Sequence, residues 1–160
     1  MRAACAAHGI RPEGWLVERM APPGTEIVIG GTFDAEFGPL IMVGIGGIFV
    51  EILKDVSFRI CPITHLDARE MIADLRGAPL LDGARGRARV DRALIVDALL
   101  RIGGEDGLLV RHGEHLAEFD INPLIVGERE ALAVDARFVL RPPQHAPRNA
   151  SGTEAVAGAS

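Results

Sequence analysis

Leu116–Leu140, LAEFDINPLIVGEREALAVDARFVL, is the stretch whose reading decides the fold. Two apolar runs, Leu116–Val126 and Ala131–Leu140, flank the polar loop Gly127–Glu130, a pattern that predicts a β-hairpin. If those four loop residues turn the chain, Val126 faces Ala131, Asn122 faces Asp135 and Asp120 faces Arg137. Strand side chains alternate between faces. Glu118, Asp120 and Asn122 therefore share one face with the opposed Asp135 and Arg137, while Phe119 and Ile121 share the other.

The Asp120 and Asp135 carboxylates, the Asn122 amide oxygen and the Arg137 guanidinium thus converge on one side of a terminal hairpin. Hard oxygen donors of this kind suit Mg²⁺, which takes one or two protein groups and completes its shell with waters and substrate phosphates. An Arg beside such a metal can hold a phosphoryl oxygen. On spacing alone, the same face also reads as the solvated side of a sheet.

Upstream, short strands are predicted at Gly14–Met20 and Thr25–Thr32, separated by the turn Ala21-Pro22-Pro23-Gly24, with a loop at Phe33–Gly38. Pro39–Val43 and Ile48–Leu53 are β-branched apolar runs around Gly44-Ile45-Gly46-Gly47, and Val56–Ile60 adds a further strand. Such strands with Gly- and Pro-rich turns argue for an antiparallel sheet. The period then changes. Thr64-His65-Leu66-Asp67 resembles a capping box, followed at helical spacing by Ala68, Met71, Ile72 and Leu75, with Gly77 as the stop. Val90, Leu94, Ile95, Ala98, Leu99 and Ile102 mark a second amphipathic helix ended by Gly103-Gly104. The polar loop Leu81–Arg89 lies between them. Residues 1–13 read as a remnant helix and loop, and 141–160, rich in Pro, Ala, Gly and Ser, as a disordered tail.

Composition narrows the classes. The 160 residues suffice for one domain, and 48% are hydrophobic. With one Trp, six Phe and no Tyr, the core must be aliphatic. The net charge is −5 and the basic residues are scattered, which speaks against nucleic acid. Cys5 and Cys61 show neither metal spacing nor a disulfide framework, which fits a reducing cytoplasm. Glycines and Glu51 interrupt the apolar stretch Pro39–Leu53, so it predicts no membrane span and a soluble protein.

The blocks Gly38–Ile60 (GPLIMVGIGGIFVEILKDVSFRI), Phe119–Val126 (FDINPLIV) and Ala133–Arg137 (AVDAR) resemble the ADP-forming acyl-CoA synthetases, in particular their ATP-grasp or β-subunit portion. The likeness runs in order from about Gly14 to Leu140. It implies an α+β fold, the C-terminal lobe of an ATP-grasp domain over 14–140, with a mostly antiparallel sheet and helices on one face. It also implies Mg²⁺ ligands at Asn122 and Asp135, with Asp120 as the acidic member of the acid-x-Asn pattern. Glu18, Arg19 and Met20 fall where the family has its adenine-binding interlobe hinge, and Glu26 falls near the ribose. Gly44–Gly47 is neither a Walker loop nor GxGxxG and reads as a turn. Glu51, Lys54, Asp55 and Arg85-Gly86 match the family without an assigned role. The implied reaction is acyl-CoA + ADP + phosphate ⇌ acid + CoA + ATP, with ATP or ADP as substrate. Only about a dozen residues precede Gly14, so the N-terminal lobe is expected to be missing. A chain supplying that lobe and a CoA-binding, phosphohistidine-bearing subunit are the expected partners. The alternative is a truncated, non-catalytic fragment acting as an interaction module.

Overall fold

The computed structural model describes residues 1–83 and 89–142. Six strands, β1 (Thr25–Asp34), β2 (Gly38–Ile45), β3 (Val56–Ile60), β4 (Leu116–Val126), β5 (Ala131–Ala133) and β6 (Ala136–Leu140), form one antiparallel sheet in the order β3-β2-β1-β4-β5. β6 pairs with β4 further along the same edge as β5. The helices are α1 (Arg2–Ala7), α2 (Ile48–Glu51), α3 (His65–Ala73), α4 (Arg92–Gly103) and α5 (Leu108–His112).

Alternation along the strands gives the sheet two unlike faces. Ile27, Ile29, Ile41, Val43 and Ile45 are buried beneath Ala68, Met71 and Ile72 of α3 and Ile95, Leu99 and Ile102 of α4. Two glycines let the layers approach. A Cβ on Gly31 would stand 2.6 Å from Leu109 of α5, and one on Gly103 would stand 2.8 Å from Ile41. The other face carries Leu40, Met42, Phe58 and Ile60 with no helix layer over them among the described residues, and Phe58 remains 57% exposed. The α+β class, the antiparallel sheet and the one-sided helix layer match the expectation from the sequence.

The hairpin register is the one read from the loop. Val126 faces Ala131, Asp120 faces Arg137, and the Gly127 N–H donates to the Glu130 carbonyl at 3.0 Å to close the turn. Both helix readings also hold. Asp91 caps α4 by accepting from the Ala93 N–H. At α3, the Thr64 hydroxyl accepts from the Asp67 N–H, while the Asp67 carboxylate accepts from the Thr64 N–H and hydroxyl. Those bonds from Thr64 hold the Asp67 carboxyl below its ordinary pKa. A lowered folded-state pKa contributes stability above the unfolded value of about 4 and loses it as pH falls through the folded value. Asp67→Asn is therefore expected to lower the urea midpoint at pH 6, with the difference between variant and wild type shrinking as the pH falls through the lowered carboxyl pKa.

Two expectations fail. Gly14–Met20 forms no strand; both edges of β1 are occupied by β2 and β4, and Leu16 and Val17 project into solvent at 83% and 92% exposure. The apolar run at Ile48–Leu53 is not a strand either. Gly47 adopts a left-handed φ of +66°, and the Glu51 N–H donates to its carbonyl at 3.1 Å, closing the single turn of α2. Phe33–Gly38 is tighter than a loop, because the Asp34 carboxylate accepts from the Glu36 and Phe37 N–H groups and lets β1 run directly into β2. The tail beyond residue 142 and Arg85-Gly86 lie outside the described residues.

Candidate functional site

Cross-strand partners share a face, so the registers set Phe58, Met42, Gly30, Asp120 and Arg137 in one row across the open side of the sheet. Thr32 and Glu118 stand opposite one another in the adjoining row. Together these residues line a cavity of ≈ 330 Å³. Its β2–β3 end is apolar and its β4–β6 end is charged. Gly30 forms the floor between the two ends, and a Cβ there would come within 2.9 Å of the Met42 methyl.

Arg137 dominates the charged end. Its Nε donates to Asp120 Oδ1 at 2.9 Å and its Nη2 donates to Glu118 Oε2 at 3.1 Å. The bond to Asp120, then that residue's charge, holds the guanidinium still more firmly in its cationic form. Asn122 and Asp135 meet one step further along. The Asn122 N–H donates to the Asp135 carbonyl at 3.2 Å, and the Val134 N–H to the Pro123 carbonyl at 3.0 Å. Asp135 thus occupies the short break between β5 and β6, and both side chains are exposed.

Asp120, Asn122 and Asp135 all offer oxygen donors, with no thiolate or imidazole among them. That chemistry fits Mg²⁺ and disfavours a closed zinc site. Among the described residues, no three His, Cys, Asp or Glu side chains gather as a ready-made metal cage.

The other site candidates lie apart from this cavity. Glu18, Arg19 and Met20 are exposed, and Arg19 reaches Glu130 in the β4–β5 turn at 3.6 Å. That turn is six residues along β4 from Asp120, roughly 20 Å by strand rise. Glu26 faces Ile125 across β1–β4, and its carbonyl accepts from the Gly46 N–H at 2.7 Å. Reasoning from sequence passed over Gly30, Met42 and Phe58. The Gly30-Gly31 pair inside a strand was a usable signal, since glycine there marks a close approach. Asp55 proves to be a buried structural anchor whose carboxylate accepts from Arg76 and Gly77 N–H groups.

The ATP-grasp domain model matches residues 1–140. The chain belongs to the ATP-grasp family. It is 46% identical over 127 residues to the β subunit of ADP-forming acetate–CoA ligase I of Pyrococcus furiosus, covering 79% of this chain and 53% of that one. To the ligase II β subunit of the same organism it is 47% identical over 141 residues, covering 84% and 58%. The apo form of the dinucleotide-forming acetyl-coenzyme A synthetase 1 of Ca. Korarchaeum cryptofilum superposes with a TM-score of 0.74 at 42% identity, over 88% of this chain and 64% of that one. The same synthetase in complex with coenzyme A and Mg-AMPPCP gives a TM-score of 0.68 at 45% identity, over 76% and 55%. This ATP-grasp chain spans about half the length of the β subunits it matches. No helix among its described residues is long and apolar enough to cross a membrane.

Proposed function

We propose that this ATP-grasp chain is the Mg²⁺-nucleotide-binding part of an ADP-forming acyl-CoA synthetase. Other chains or domains would supply the opposing lobe, the CoA site and the phosphohistidine that complete acyl-CoA + ADP + phosphate ⇌ acid + CoA + ATP. The observation that carries this reading is the sheet face itself. An apolar floor of Met42 and Phe58 leads past Gly30 to a charged end at Asp120 and Arg137, with Asn122 and Asp135 next in line. The charged end suits metal-bound phosphates, with the base lying the other way, past Glu26 toward the β4–β5 turn that Arg19 touches.

In this reading Asn122 and Asp135 hold Mg²⁺, Asp120 joins them, and Arg137 holds a phosphoryl oxygen. The metal's role when bound is to neutralise charge on the phosphates during transfer. The protein's role is positional. The hairpin ladder fixes Asp120 against Arg137 and Asn122 against Asp135, so the donors are arranged before any ligand arrives. Adenine is assigned to the backbone of Glu18, Arg19 and Met20, and the ribose to Glu26. In support, Gly14–Met20 belongs to no helix and no sheet, which leaves backbone donors and acceptors open to a base.

The test is calorimetric titration of Mg²⁺-ADP and Mg²⁺-ATP into the folded chain, with and without EDTA. Saturable heat that requires the metal is the expected result. A folded chain that takes up neither nucleotide would overturn independent nucleotide binding and leave the interaction-module reading, for which exposed Leu16, Val17 and Met20 offer an apolar contact.

A further inference from the structure

Asp120 has two prospective cationic partners, and the structure shows the first of them in place. The Arg137 guanidinium spans Asp120 at 2.9 Å and Glu118 at 3.1 Å, compensating both carboxylates at the charged end of the cavity. The Asp120 side chain is 29% exposed, whereas Glu118 and Arg137 are 58% and 61% exposed. The inner carboxylate is therefore covered in part by a long side chain that is itself open to water. An ion pair so exposed is held weakly, and the Arg stem has the length and rotamer freedom to swing away.

A divalent cation bound to Asp120 would sit about 2 Å from a carboxylate oxygen. The guanidinium at its present position would then face a like charge a few ångströms away. We infer that Arg137 is the resident counter-ion of Asp120, displaced when a divalent cation arrives and turned instead toward an anionic oxygen that the cation brings with it. The inference rests on the Mg²⁺-nucleotide reading of this face and adds a selection rule to it. Free metal must displace Arg137 with nothing offered in return. Metal carrying a phosphate displaces it and gives the guanidinium a new acceptor. The face thereby favours the metal–nucleotide complex over the bare ion.

The rule predicts effects of opposite sign from one substitution. In the full-length chain, Arg137→Met should bind Mn²⁺ alone more tightly, by about five- to tenfold from removal of a neighbouring positive charge, as read by the EPR signal of free Mn²⁺. That gain should shrink in 0.5 M NaCl, where screening acts within a few ångströms. The same variant should bind Mn²⁺-ADP about tenfold more weakly, having lost a charged phosphate donor. Adding Asp120→Asn to Arg137→Met should remove the gain for Mn²⁺ alone. Thermal melts establish that each variant is folded, and the exposed positions predict little change.

An Arg137→Met variant whose affinity for bare Mn²⁺ is unchanged or reduced would overturn the counter-ion role. A gain that survives Asp120→Asn would overturn it too, by placing the ion elsewhere. If wild type ignores Mn²⁺-ADP while Arg137→Met still gains Mn²⁺ through Asp120, the counter-ion role stands and the nucleotide reading falls.

Discussion

Asp55→Ala is expected to destabilise the fold by about 3 kcal/mol, because it strands two backbone donors that a single carboxylate now satisfies. Asp55 is 5% exposed at the entrance to β3. Its Oδ1 accepts from the Arg76 N–H and its Oδ2 from the Gly77 N–H, each at 2.8 Å. Those donors lie in the turn after α3, so the carboxylate ties the helix layer to the edge of the sheet. Gly77 has no room for a side chain here; a Cβ would stand 2.8 Å from Ile45 Cδ1 and 3.1 Å from Asp55 Oδ2. Asp55→Asn keeps one acceptor and turns an amide N–H₂ toward the other donor, so about half the loss is expected. For a chain of this size the Ala variant should melt roughly 10 °C lower. Urea and thermal denaturation followed by circular dichroism would measure both. An Ala variant within about 0.5 kcal/mol of wild type would mean that water replaces the carboxylate without cost.

Asp55 also shows what sequence reading misses. With Glu51 and Lys54 it matched the family without an assigned role, and nothing local signals that Arg76 and Gly77 return to it. Partners twenty residues away are set by topology rather than spacing. The same limit explains Gly14–Met20 and Ile48–Leu53. Both runs have β-forming composition, yet β propensity expresses fit to neighbouring strands, and neither run finds one. At Ile48 the preceding Gly47 turns the chain into a helical turn.

Where the deciding contacts are local, the sequence was legible. The α3 capping box closes over Thr64 and Asp67 as the spacing predicts. The hairpin is the strongest case. The four-residue turn at Gly127–Glu130 propagates one register past the break at Val134-Asp135, so β6 meets β4 with Asp120 still facing Arg137. The charged half of the candidate site was legible because it lies wholly on that hairpin. The apolar half was not. Phe58, Met42 and Gly30 join Asp120 only through the pairings β3–β2, β2–β1 and β1–β4. No spacing in the chain encodes the order of those strands.

Asp135→Ala is expected to weaken Mg²⁺-ADP binding by about 100-fold, while Asn122→Ala weakens it by about tenfold. The two positions differ in charge but share their anchorage. The Asn122 N–H to Asp135 carbonyl bond is backbone on both sides, so neither substitution removes it. Both side chains are exposed and, among the described residues, neither is hydrogen-bonded, so each variant should melt within a degree or two of wild type. Lost affinity then reports the missing ligand rather than a disturbed fold. The asymmetry follows from electrostatics, because a carboxylate attracts a divalent cation through its full charge and an amide oxygen only through its dipole. Titration in parallel at fixed ionic strength separates the cases. Equal losses at both positions would mean that charge is not what holds the ion. An unaffected Asp135→Ala variant would remove Asp135 from the metal site and overturn the pairing of Asn122 with Asp135 as its ligands.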